Sequence, residues 1–250
     1  MTARNPTACL LIIGNEVLSG RTQDANIRFI ATKLSEIGMP LREVRVIPDV
    51  PEVIIGMVNE VRAKFDHVFT TGGIGPTHDD VTTDAIAKAF SVPVVTDPGA
   101  VAAMRKRFTP TELTAARLRM ARIPEGASLI DNAISRAPGF MIENVIVMAG
   151  VPRIMQVMLD AVSPRLAKGR PMLSRSVRLD VPEGGAAEGL GELQAAHPEV
   201  QIGSYPFFEN KRLGTYIVLR SVDEAKLAAA ENALWKFIAE EGFAAAAGDG

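Results

Sequence analysis

The sequence predicts an α/β protein: a three-layer α/β/α domain on a mostly parallel sheet, then a small α+β domain. Apolar runs and helical repeats alternate as β-α-β-α-β-α from Ala8 to Phe90, the order of a parallel sheet with helices on both faces. Lys168-Gly169-Arg170-Pro171 then breaks both periodicities and reads as a linker. Beyond it the order changes to β-α-β-β-α, which suits a compact α+β unit.

Each element has a local reason. Ala8 to Ile13 is a continuous apolar run, as in a strand buried on both faces. Ile27, Ile30, Leu34 and Ile37 recur at helical spacing, and Gly38 stops that helix. Leu41 to Ile47 alternates as a second strand. Pro51 opens a second helix, with Val53, Ile54, Met57, Val58 and Val61 on its apolar face. His67 to Thr71 is the third strand and Asp80 to Phe90 the third helix. Pro93 to Val95 reads as a short extra strand, Asp97-Pro98 as a helix start, and Thr111 to Ala121 as a further helix, all outside the central sheet. Val145 to Met148 is a fourth strand, and Pro152 opens a helix to about Leu166. In the second domain, Ser176–Val181, Val200–Ser204 and Thr215–Leu219 read as strands, Ala186–Ala196 and Asp223–Glu240 as helices. The expected domains are 1–168 and 172–243, with a flexible tail at 244–250.

Composition narrows the functional classes. The chain has 250 residues, 47% hydrophobic, enough to bury a sizeable core. A net charge of −2 argues against a dedicated nucleic-acid binder. No apolar run approaches the length of a membrane span, and Met1 to Thr7 carries no apolar segment of signal-peptide type. One cysteine, Cys9, cannot form an internal disulfide; with the absence of a leader pattern this predicts a cytoplasmic protein. Cys9 sits within a strand with no neighbouring base, and reads as a small core residue.

The polar residues converge on one place. In a parallel α/β sheet, ligands bind beyond the carboxyl ends of the strands. There the sequence supplies Gly14, Asn15, Glu16, Ser19 and Gly20 after the first strand, Asp49 after the second, the run Gly72 to Asp80 after the third, and Ala149-Gly150-Val151-Pro152 after the fourth. Gly72, Gly73, Gly75 and Gly150 let the backbone approach a ligand, and the following helix starts favour an anion. Asp79 and Asp80 sit at the same end, where they would repel a phosphate unless a cation lies between. Oxygen donors without a Cys/His cluster favour magnesium or a similar hard ion over zinc. The structural alternative is that the glycines only turn the chain while Thr77, Asp79 and Asp80 start a helix. The run is neither a P-loop, since no Gly-Lys-Ser/Thr follows, nor a dinucleotide fingerprint, which belongs after the first strand.

Gly14-Asn15-Glu16-Val17-Leu18-Ser19-Gly20, Thr70 to Thr82 and Gly150-Val151-Pro152 together resemble the molybdopterin-binding domain superfamily, and within it the competence/damage-inducible protein A group. The chain is also similar to the N-terminal molybdopterin-binding-like domain of eukaryotic FAD synthases, including Ile202-Gly203-Ser204-Tyr205-Pro206. The resemblance is strong from Ala8 to Leu166 and less specific beyond. It implies a pterin or nucleotide bound by its phosphate at the sheet edge, through Gly14, Asn15, Glu16, Ser19, Gly72, Gly73, Gly75, Pro76, Thr77 and Gly150. By alignment with the related adenylyltransferases, it places Asp49 and Asp80 in the active site, where they would hold a divalent metal, with Asp79 as a further candidate ligand. Some relatives hydrolyse the pyrophosphate of ADP-ribose or FAD, so a magnesium-dependent nucleotide pyrophosphatase is the implied activity; a non-catalytic molybdopterin or nucleotide-binding module is the alternative. A homo-oligomer, most simply a dimer, is implied as well. Two positions depart from the pattern: Asn15 stands where relatives often have Asp, and Ala149 where they often have Pro. These residues carry neither a nicotinamide-nucleotide deamidase domain nor an FAD synthase catalytic domain, and neither activity is expected of them.

Overall fold

A computed structural model describes residues 4–209 and 212–248. The chain divides into two compact units between Gly169 and Arg170. In the first unit the elements run β1 (Ala8–Ile13), α1 (Asn15–Leu18), α2 (Asn26–Glu36), β2 (Leu41–Ile47), α3 (Pro51–Arg62), β3 (His67–Thr71), α4 (Thr82–Ala89), β4 (Val94–Thr96), α5 (Pro98–Arg105), α6 (Ala115–Leu118), β5 (Arg122–Pro124), β6 (Ser128–Ile130), β7 (Gly139–Ile142), β8 (Val145–Met148) and α7 (Pro152–Val162).

The central sheet has the order β2-β1-β3-β8-β7-β6. β1 pairs parallel with β2 and β3, and β3 pairs parallel with β8. Parallel strands need helical crossovers, and those crossovers cover both faces. β1 shows the result, since all six of its residues are buried. Cys9, Leu11 and Ile13 pack on one face with Ile54, Val58 and Val61 of α3 and Ile86 of α4. Ala8, Leu10 and Ile12 pack on the other with Ile30 and Leu34 of α2 and Met155, Met158 and Leu159 of α7. Burying each Leu or Ile side chain in this layer contributes roughly 1.5–3 kcal/mol. Cys9 belongs to this packing; burial pushes its thiol up to about 11, so it is protonated and unreactive near neutrality.

The structure departs from the sequence reading in several places, four of which matter here. First, β6 and β7 extend the sheet as antiparallel neighbours of β8. They are only three and four residues long, too short for a clear period. Gly139 at the start of β7 is required by contact, because a Cβ there would lie 2.4 Å from the Val147 carbonyl oxygen. Second, the stretch expected as one helix over Thr111–Ala121 is a single turn, α6, followed by a 3-10 turn at Arg119–Ala121. Third, α4 begins at Thr82 rather than Asp80. Fourth, the expected flexible tail contains a strand, described below. β4 is the predicted extra strand; it pairs with β5 in a separate two-stranded sheet.

The second unit comprises β9 (Leu173–Leu179), α8 (Glu183–Ala196), β10 (Gln201–Glu209), β11 (Arg212–Ser221), α9 (Glu224–Glu241) and β12 (Ala245–Ala247). Its antiparallel sheet has the order β10-β11-β9-β12. Val177, Leu179, Ile217 and Leu219 pack against Leu190 and Leu193 of α8 and Leu227 and Leu234 of α9. Asp223 caps α9 by accepting from the amides of Ala225 and Lys226, and Gly242 ends it with φ 68°. The chain then turns back, and Ala245–Ala247 pair with β9. An open edge on β9 would leave a row of backbone groups without partners, and this strand supplies them. The last two residues of the expected tail, Asp249 and Gly250, lie outside the described residues. Among the described residues no helix is long and apolar enough to cross a membrane.

Candidate functional site

The parallel order β2-β1-β3-β8 sets four strand exits side by side on one edge of the first unit. Asp49 follows β2, Gly14-Asn15-Glu16 follows β1, Gly72 follows β3 and Ala149-Gly150 follows β8. Two contacts join these exits. Asn15 donates its Nδ2 hydrogen to Asp49 Oδ1, tying the β1 turn to the β2 turn. A Cβ on Gly150 would lie 3.3 Å from Gly72 Cα, so the β3 and β8 turns pack backbone to backbone.

The loop from Gly72 to Asp80 is held from within. Gly72 has φ +103° and Gly73 φ +66°, conformations that side-chain-bearing residues rarely adopt. A Cβ on Gly72 would sit 2.2 Å from the Ile13 carbonyl oxygen, and one on Gly73 would sit 2.1 Å from Thr82 Oγ1. Asp80 closes the far end: its carboxylate accepts from the Gly75 amide at 2.7 Å, from the Thr77 amide at 2.8 Å, and from the Thr77 hydroxyl. Pro76, which has no N–H, lies between the two amide donors. Asp79 and Asp80 both precede α4, whose N-cap is Val81, so neither lies in the first helical turn expected for them. Asp79 is exposed. The Thr77 hydroxyl has one proton, and the hydrogen-bond geometry gives it to Asp80 rather than to Asp79.

This bonding decides which amides remain for a ligand. Gly72 N donates to Met148 O at 3.1 Å, Gly14 N to Ile47 O at 3.1 Å, and Gly75 N and Thr77 N to Asp80. Gly14, Gly72, Gly75 and Thr77 therefore shape the edge, and their amides are already in use. Among the described residues, the amides of Gly73, Ile74 and Gly150 donate to no protein acceptor. They lie on the two turns that pack together, near the start of α7.

The other predicted residues fall nearby with lesser roles. The Glu16 side chain is exposed and covers the place where a Gly14 Cβ would stand, 2.5 Å from its Oε2. Ser19 is exposed, ends α1 and donates to Glu16 O at 3.3 Å. Sequence reasoning missed Asn26, which is 4% exposed and donates its Nδ2 hydrogen to Gly150 O at 2.9 Å. Asp24 caps the same helix, accepting from the amides of Asn26 and Ile27. An Asp-Ala-Asn start is readable as a cap, but the partner at Gly150 is 124 residues away and only the fold reveals it.

The carboxylates at this edge are Glu16, Asp49, Asp79 and Asp80. Among the described residues, no three His, Cys, Asp or Glu groups come together as a metal cage. Asp49 and Asp80 offer carboxylate oxygens, Asp80 with both already accepting hydrogen bonds. Magnesium typically takes one or two protein carboxylates and completes its shell with water and substrate phosphate.

The chain matches two family models: the Probable molybdopterin binding domain over residues 9–168 and the FAD synthase, middle domain over residues 171–246. A protein of Pyrobaculum calidifontis is 35% identical over 212 residues, covering 80% of this chain and 81% of that one. A CinA-like protein of Desulfosudis oleivorans is 37% identical over 207 residues, covering 78% of this chain and 50% of the relative. Among solved structures, the protein CinA of unknown function from Thermoplasma acidophilum superposes with a TM-score of 0.61 at 32% identity, covering 65% of this chain and 99% of that one.

Proposed function

The chain belongs to the molybdopterin-binding domain family, and on that premise we propose that it binds a pterin or nucleotide by its phosphate groups and hydrolyses a pyrophosphate of the ADP-ribose or FAD kind. The observation that carries the reading is the set of unpaired amides at Gly73, Ile74 and Gly150, beside Asp49 and the Asp80-closed loop. The amides receive phosphate oxygens, and the tight turn at Gly72 and Gly73 brings the backbone close enough to do so. Asp49 and Asp80 are the residues that would hold a magnesium-type ion, which when bound polarises phosphate and lowers the pKa of water. Asn15 keeps the Asp49 carboxylate in place. Asp80 has a second duty, since the loop conformation depends on it.

The test is hydrolysis of ADP-ribose and FAD by the full chain with added magnesium or manganese. Loss of turnover in both Asp49→Ala and Asp80→Ala is expected; wild-type rates in either variant would remove that residue from the chemistry.

A second reading has its own support. Both oxygens of Asp80 are engaged by the loop, and a neutral amide, Asn15, rather than a second carboxylate faces Asp49. These features favour a module that binds its ligand without turnover. Calorimetric binding of ADP-ribose or a pterin phosphate, with no product under any added metal, would select it.

A further inference from the structure

β2 is the outermost strand of the first unit's sheet, and among the described residues no strand pairs with its outer side. Its backbone groups alternate in direction. The Ile47 carbonyl points towards β1, where it accepts from Gly14 N. In a strand the N–H and C=O of one residue point the same way, and those of the next residue the opposite way. Glu43 and Arg45 therefore bond inward with Ile47, while Val44 and Val46 present their N–H and C=O to the open edge. Such an edge is a template for another strand. Proline would block it, and Leu41–Ile47 contains none.

The side chains leave the same edge unfinished. Val44 and Val46 are the register partners of Leu10 and Ile12 and share their face of the sheet. Leu10 and Ile12 are 0% and 3% exposed, whereas Val44 and Val46 are 36% and 37% exposed. The other face carries Glu43 and Arg45, which form an ion pair. Arg45 also holds Glu60 of α3 through both terminal nitrogens, at 3.0 and 2.9 Å. Its Nε, now on Glu43, is the group free to exchange one carboxylate for another.

We propose that a second copy of this chain covers this edge, its β2 antiparallel to the first about a two-fold axis at Val44. Charge selects both the occupant and the register. Centred on Val44, the pairing sets Glu43 opposite the partner subunit's Arg45, and Arg45 opposite the partner subunit's Glu43. The exposed valines of both copies meet on the other face. The outward N–H and C=O of Val44 bond those of the partner subunit's Val44. Moving the axis by one residue places Glu43 against Glu43 or Arg45 against Arg45, and like charges directly opposite destabilise a strand pair. A two-fold contact needs a self-complementary surface, and Glu43-Val44-Arg45 is one. A single strand edge is small beside a standard interface, so the association depends on concentration.

The experiment is sedimentation velocity of the full chain over about a hundredfold range of concentration, with disulfide trapping of cysteine variants by diamide. A mass of twice 26.7 kDa is expected at the upper end. Val44→Cys is expected to cross-link, because a hydrogen-bonded pair on the axis has its Cα atoms about 5.5 Å apart, within disulfide reach. Val46→Cys is the control and is expected not to cross-link, since its own copy lies four residues further along the edge. Cys9 is buried and the same in both. Val44→Lys sets two ammonium groups on the axis, and Glu43→Arg sets arginine against arginine; both are expected to give monomer. Should Val44→Lys not fold, the cysteine variants decide. Monomer at every concentration, a dimer unmoved by Val44→Lys, or equal cross-linking at positions 44 and 46 would overturn the proposal. None of these outcomes bears on the ligand site proposed above.

Discussion

Gly72→Ala is the substitution that most directly tests how the edge is built. Two costs combine. A methyl-bearing residue at φ +103° leaves its allowed region, which costs roughly 1–2 kcal/mol. The new Cβ would also stand 2.2 Å from the Ile13 carbonyl oxygen, where ordinary contact begins at 3.4 Å, so one strand end must move by more than about 1 Å. Movement away from Ile13 is opposed by Gly150, which packs on Gly72 from the β8 turn. Overpacking of that kind costs roughly 1–3 kcal/mol. For a unit of this size each kcal/mol lowers the melting midpoint by about 2–4 °C, so a fall of about 10 °C is expected. Gly20→Ala is the control: φ is +72° but nothing lies within 4 Å of its Cβ position, so it bears only the backbone cost. The assay is thermal unfolding by far-UV circular dichroism, because the one tryptophan, Trp235, lies in the second unit and would not follow the first. A Gly72→Ala midpoint no lower than that of Gly20→Ala would refute the packing argument.

Asp80→Asn keeps the shape of the carboxylate but turns one acceptor into a donor facing an amide; exchange of the Gly75 and Thr77 amide hydrogens, read by NMR, is expected to accelerate about tenfold or more. Asn15→Asp would place a second carboxylate against Asp49 and create a demand for a cation; its melting midpoint is expected to fall in EDTA and to rise with magnesium more steeply than that of the wild type. His67 is 9% exposed and burial lowers its pKa, against a smaller opposing effect of Asp66. The unfolded chain therefore binds the proton first, so stability is present above about pH 6.5 and is lost as pH falls below it. Urea midpoints measured between pH 7.5 and 5 should show that decline, and His67→Gln should flatten it.

Much of the sheet was legible because its strands are unambiguous. Ala8–Ile13 and Val145–Met148 are continuous apolar runs bounded by turn residues, as in strands buried on both faces. Pro51, Pro98 and Pro152 mark helix starts because proline costs nothing where no N–H is needed. β6 and β7 escaped because three or four residues give no period, and Gly139 speaks against a strand unless the Val147 carbonyl beside it is known. The strand in the tail is hidden for a related reason: three alanines have no preference for a strand, and only the open edge of β9 gives them one.

At the site, residue types were easier to read than their duties. The glycine run and the two aspartates stood out, but whether a glycine amide serves a ligand or the fold depends on its partner. Gly75 and Asp80 are five residues apart, and Thr77-His78-Asp79-Asp80 has the spacing of a local capping motif, so that bond was open to sequence reasoning. The Gly72 bond to Met148 and the Asn26 bond to Gly150 were not.

Those two long-range bonds also govern when the site comes into being. This edge needs the β3 and β8 turns packed together and α2 tied to Gly150, 124 residues later in the chain. Contacts of such sequence separation pay their loop-closure entropy early and are rewarded late, so they are poorly formed while the chain is still searching. A ligand that grips this edge stabilises the folded state and barely touches the folding transition state. Its kinetic signature is therefore one-sided: the first unit should unfold more slowly with ligand present, while its folding rate stays nearly the same.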